Sequence, residues 1–127
     1  MKQILVRIVP ICSFLILSLD SFCQETNRKK ILGTWGFSKI EFIQSNPDSV
    51  AIVNNAKGMI INFSEDKLTM KNKFDSTFAR TSVYTIGPDG ATLTHNGVTA
   101  KIVKITDEEL VLKVEQEGLI EYLKKVH

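Results

Sequence analysis

Arg80 is the side chain whose chemistry first asks for an explanation. From Phe78 to Ile86 the residues alternate, so that Phe78, Arg80, Ser82, Tyr84 and Ile86 share one face of a strand, while Ala79, Thr81, Val83 and Thr85 share the other. A guanidinium on an apolar inner face is costly unless it meets an anion, such as a ligand carboxylate or an internal acid. Tyr84 would then be a second polar handle on the same face. A bulge that turned Arg80 outward, or a solvated strand end, would remove the demand.

No other residues assemble into a reactive set. His95 stands beside a turn and His127 at the chain end, and neither has a ligand partner at the fixed spacing of a metal site. Asp107-Glu108-Glu109 reads as a charged turn. The chain has no Gly-x-Ser-x-Gly, no phosphate-binding loop and no glycine-rich dinucleotide motif. The expectation is therefore no catalysis, no metal and no cofactor. A net charge of only +2 on 127 residues is too small for the concentrated basic face of a nucleic-acid binder.

The first residues follow the pattern of an export signal. Lys2 and Arg7 give a positive start, Ile8 to Leu19 is mainly apolar, and Ser21-Phe22-Cys23 places small residues where a signal peptidase reads. This predicts a cleaved signal peptide over residues 1–23, and an exported protein, periplasmic or secreted. The apolar run is shorter than the roughly 20 residues of a permanent membrane helix, so no transmembrane segment is expected in the mature chain. A lipid anchor on Cys23 would want an aliphatic residue three places earlier and a small one directly before it; Asp20 and Phe22 fit neither requirement. Cys12 and Cys23 are the only cysteines, so the mature chain would hold no disulfide and no thiolate.

Residues 24–30 read as a polar, solvated leader ending in Arg28-Lys29-Lys30, and residues 31–127 as one domain of short strands. The first strand, Ile31 to Ile43, carries Gly33 and the sole tryptophan, Trp35. Trp35 and Phe37 share one parity and Ile40 and Phe42 the other, which predicts a β-bulge near Ser38-Lys39. Asn46-Pro47-Asp48 starts a short helix over 47–57, either a lid on the barrel or a connector on its outside.

Strands follow at Met59–Phe63, at Leu68 and Met70, and at Phe78–Ile86, with Asn72 to Thr77 as a polar connection. Gly87-Pro88-Asp89-Gly90 is a turn, Ala91–His95 is a short strand, and Asn96-Gly97 is the strongest two-residue hairpin signal. Val98–Ile105, Leu110–Val114 and Leu119–Val126 complete the set. Eight antiparallel strands in meander order give an all-β up-and-down barrel with one short helix between its first two strands.

The inner face by parity holds Phe37, Met59, Ile61, Phe63, Leu68, Met70, Phe78, Tyr84 and Leu93. Flexible Met59 and Met70 suit a pocket that adapts to its contents. The same nine side chains would equally suit a barrel packed solid. The candidate ligand-binding set is Arg80, Tyr84, Met59, Ile61, Phe63, Met70 and Phe78.

The export signal, the Leu32-Gly33-Thr34-Trp35 opening of a long bent strand and the seven short strands behind it resemble the bacterial lipocalin-like domain proteins. Ile102, Ile105, Leu110 and Leu112 are similar to a late pattern common in that group. The resemblance implies an eight-stranded barrel, with Gly33 and Trp35 as its structural signature, and often a small apolar ligand. It further implies a late-strand cation over the tryptophan, here Lys124 or Lys125. The Thr-Asp-Tyr type motif of the better-known lipocalins is absent. Together these readings point to an exported, non-catalytic protein that binds a small hydrophobic or amphipathic molecule. The alternative is a cell-envelope interaction or structural module with a solid barrel.

Overall fold

A computed structural model describes residues 23–127. The signal peptide expected over 1–23 therefore lies, but for Cys23, outside the described residues. A helix, α1, covers 23–31. Eight strands follow: β1 (Gly33–Phe42), β2 (Met59–Phe63), β3 (Lys67–Asn72), β4 (Asp75–Ile86), β5 (Thr92–His95), β6 (Val98–Ile105), β7 (Glu109–Val114) and β8 (Leu119–Val126). Helix α2 (Ser49–Ala56) joins β1 to β2, and a short 3-10 turn, Glu115–Glu117, precedes β8. Each strand pairs antiparallel with the next, and β1 pairs with β8, so the sheet closes into a barrel.

The turns form where backbone chemistry favours them. Asn96 and Gly97 have φ of 49° and 73°, the positive pair that a two-residue hairpin needs. The bulge in β1 falls at Ser38: Phe37 faces Leu123 and Lys39 faces Tyr122, leaving Ser38 as the extra residue. It returns Ile40 and Phe42 to the side of Trp35 and Phe37, and all three companions pack against the core. A second irregularity lies between Ile102 and Lys104 in β6, where Val103 is turned out to solvent and Ile105 comes back inward.

Two expectations change. The polar stretch 24–30 is helical rather than an open leader, because its side chains find backbone acceptors on the barrel: Gln24 donates to Ile86 O at 3.0 Å and Asn27 to Gly90 O at 2.6 Å. The connection expected over Asn72–Thr77 is a tight hairpin at Lys73-Phe74. The Asn72 carboxamide oxygen accepts from Phe74 N at 2.8 Å, and the Asp75 carboxylate accepts from Thr77 N at 3.1 Å.

The barrel is sealed at the end where β1 begins. Ile31, at the close of α1, and Trp35 are both fully buried, and the indole Nε1 donates to Ile31 O at 2.8 Å. Lys125 stands over the indole with Nζ 4.6 Å from the ring centroid and donates to Leu32 O. The late-strand cation is thus Lys125, whereas Lys124 points to solvent. Gly33 makes room for it: its φ is +113°, and a Cβ there would stand 2.8 Å from Lys125 Nζ. Lys125→Ala is expected to cost about 1–2 kcal/mol through the lost cation-π contact and hydrogen bond. Lys124→Ala should stay within about 0.5 kcal/mol in the same chemical denaturation series.

Candidate functional site

The two ends of the barrel differ in how completely the inner face is covered. Trp35, Phe63, Leu68, Tyr84, Ile86, Leu93, Leu110 and Leu123 form a buried cluster at the sealed end, which Leu112, Val114 and Leu119 continue along β7 and β8 toward the other end. Toward the other end, Phe37, Ile40, Phe42 and Met70 are only partly buried against it. Met59 and Phe78 lie further out, also partly exposed.

Strand lengths produce this difference. β2 meets β1 only from Gly33 to Gly36, so the part of β1 beyond the bulge hydrogen-bonds with β8 alone. β5 is four residues long and reaches only Tyr84–Ile86 of β4, so Asp75 and residues 79–83 of β4 ladder with β3 alone. Helix α2 stands beside the upper part of β1, with Val53, Ala56 and Lys57 facing Phe37–Ile40 across a shallow cleft. It buries none of its residues fully; Ile52 alone reaches the core edge. Asn46 supports its start, its side-chain oxygen accepting from Asp48 N at 2.8 Å.

The residues singled out from the sequence divide between the two ends. Ile61, Phe63 and Tyr84 belong to the packed cluster. Tyr84 stands edge-on to Phe63 with ring centroids 5.1 Å apart, and its hydroxyl donates to Ser64 O, so that handle is already occupied. Burial raises the Tyr84 pKa. Met59, Met70, Phe78 and Arg80 lie toward the open end. Arg80 pairs across the sheet with Met70, on the expected face, but it is exposed and its guanidinium lies 5.3 Å from the Phe78 ring centroid. The strand carries Arg80 to a solvated rim, so its charge needs no internal anion.

The inner face also holds Glu121, which the sequence reading did not single out, and His95, which it weighed only as a metal ligand. Glu121 pairs with Ile40 on β1 and Leu112 on β7, and its own-strand neighbours on that face are Leu119 and Leu123. Every one of these is apolar. Burial in this wall, with a smaller contribution from the charge of Glu117, pushes the Glu121 carboxyl up to about 7. His95 faces Tyr84 across β4 and β5, with its Nδ1 buried and without a hydrogen-bond partner among the described residues. Burial lowers its pKa, opposed by Glu117. Following alternation along the last strand would have flagged Glu121, since Leu119 and Leu123 bracket it at the inner parity.

Among the described residues no three His, Cys, Asp or Glu side chains are grouped to hold a metal, and no helix is long and apolar enough to cross a membrane. What the arrangement offers is an apolar inner surface, partly open to solvent, with a carboxyl in its wall and a guanidinium at its rim.

A closed, eight-stranded antiparallel barrel with a helix after its first strand is a lipocalin-like fold. Among solved structures the chain is similar to a lipocalin-like protein from Bacteroides uniformis ATCC 8492, with a TM-score of 0.53 and 12% sequence identity over 76% of this chain and 99% of that one. The sequence matches no protein-family model and no curated protein.

Proposed function

We propose that this chain is an exported, non-catalytic binding protein that holds a small, mostly apolar molecule in the open half of its barrel. One observation supports this most: inward-facing Phe37, Ile40 and Phe42 of β1 and Met70 of β3 stay partly exposed, although Leu112, Val114 and Leu119 on β7 and β8 and the Trp35 end of the same barrel are buried. Apolar side chains that converge on a concave surface and stay wet gain by burial against a ligand, at roughly 25 cal/mol per Å² covered. The lipocalin-like fold is in keeping with a binding role. Met59, Met70 and Phe78 line the entrance in this reading, and Arg80 marks its rim. Export rests on the signal-peptide pattern of the first residues, with Cys23 as the site of a lipid anchor in the less favoured form.

Uptake of a neutral apolar probe, N-phenyl-1-naphthylamine, tests the reading. Saturable fluorescence enhancement is expected, and a Met70→Trp variant that fills the open half should lose most of it while keeping its thermal transition. Enhancement that never saturates, or that Met70→Trp leaves intact, would place any apolar contact on the outer surface and favour the interaction module.

A further inference from the structure

Glu121 sits in an apolar wall and has no hydrogen-bond or ion-pair partner among the described residues, unlike Lys39, Lys101, Lys104 and Lys113, which all meet carboxylates on the outside. A carboxyl placed among Ile40, Leu112, Leu119 and Leu123 gains nothing for the barrel; a leucine there would pack better. Across the same interior, the buried Nδ1 of His95 also lacks a partner. Both groups lie within the electrostatic reach of Glu117, which places them toward the same end of the barrel. A carboxylate is an acceptor only, and a neutral imidazole offers one acceptor nitrogen. Among the described residues, neither the Glu121 carboxyl nor the His95 Nδ1 has a hydrogen-bond partner or a counter-charge. The two cations on this face stand away from Glu121: Lys125 lies over the Trp35 indole at the sealed end, bonded to Leu32 O, and Arg80 is out at the rim on the Phe78 ring.

We propose that the barrel's ligand is an amphipathic cation, an apolar body carrying a protonated amine, whose ammonium is held by the Glu121 carboxylate. This rests on the binding reading above and specifies its chemistry. The apolar body covers Phe37, Ile40, Phe42 and Met70, and the ammonium gives Glu121 the counter-charge that no described side chain supplies. An ammonium has three donors, so one can bond Glu121 while the others remain for water or a second acceptor. An amphipathic anion would instead carry its charge past Glu121 and be repelled by it.

The test is a competition at pH 8, in which dodecylamine, dodecanoate and dodecanol, each below its aggregation threshold, displace N-phenyl-1-naphthylamine from the protein and from its Glu121→Gln variant. Dodecylamine is expected to bind the wild type at least about tenfold more tightly than dodecanoate, and to lose about tenfold or more in Glu121→Gln, the worth of one charge-assisted hydrogen bond. Dodecanol should bind both proteins alike, which separates the loss of a counter-ion from a disturbed pocket. Dodecanoate binding as well as or better than dodecylamine, or an amine affinity unchanged in Glu121→Gln, would overturn the cation proposal and leave the binding barrel standing. If none of the three displaces the probe, and the probe itself is not taken up, the binding reading falls and this proposal with it.

Discussion

Trp35→Ala is expected to cost about 3–5 kcal/mol, a large share of the roughly 5–15 kcal/mol available to a domain of this kind. Several interactions depend on that one side chain. The indole is fully buried, it donates to Ile31 O, and it is the surface on which Lys125 rests. Removing it opens a cavity at the sealed end and leaves the carbonyl of Ile31 without its donor in a buried site. It also detaches α1, whose last residue, Ile31, is itself fully buried at that end. Trp35→Phe keeps most of the volume and loses the hydrogen bond, so it should fall between, at about 1–3 kcal/mol. Chemical denaturation measures both, and a Trp35→Ala loss below about 1 kcal/mol would mean that the sealed end is not a principal source of stability.

Glu121→Gln should act in the opposite direction, raising stability by on the order of 3 kcal/mol at pH 8 and above. The carboxyl stands at about 7 in the folded barrel against a usual value of 4.5. Below pH 4.5 it is protonated in both folded and unfolded chains and costs nothing by ionising. As pH rises from 4.5 toward 7 the unfolded chain releases this proton before the folded one does, so stability declines, and above about 7 the full penalty is in place. Glutamine mimics the protonated form at every pH. Wild type and variant should therefore melt alike near pH 4.5 and separate progressively toward pH 8, the variant being the more stable. Using the difference between the two proteins cancels the titration of other carboxyls. A constant difference across that range would show that Glu121 titrates normally.

Much of the barrel was legible because its turns and its strand irregularities are written locally. Asn96-Gly97 has a backbone requirement that few residue pairs meet, and the structure gives both the positive φ expected of them. The parity slip between Phe37 and Ile40 could be accommodated in a single strand only by an extra residue, and Ser38 is that residue. What escaped was set by tertiary partners. Residues 24–30 have no apolar period to announce a helix; they are positioned by Gln24 and Asn27 bonding to carbonyls more than sixty residues away, and by Ile31. Arg80 was placed on the correct face, but its solvation depends on β5 being too short to continue beside it, a property of the neighbouring hairpin. Glu121 is the reverse case, since its alternation with Leu119 and Leu123 was readable and its chemical consequence depends on the apolar residues of β1 and β7 that face it.

Native mass spectrometry of the protein purified from the cells that make it, followed by denaturing extraction, tests the binding claim most directly. A stoichiometric small molecule that leaves on denaturation is the expected result. A clean apo mass, together with no uptake of N-phenyl-1-naphthylamine or of dodecyl amphiphiles, would contradict it and assign the working surface to the outside of the barrel.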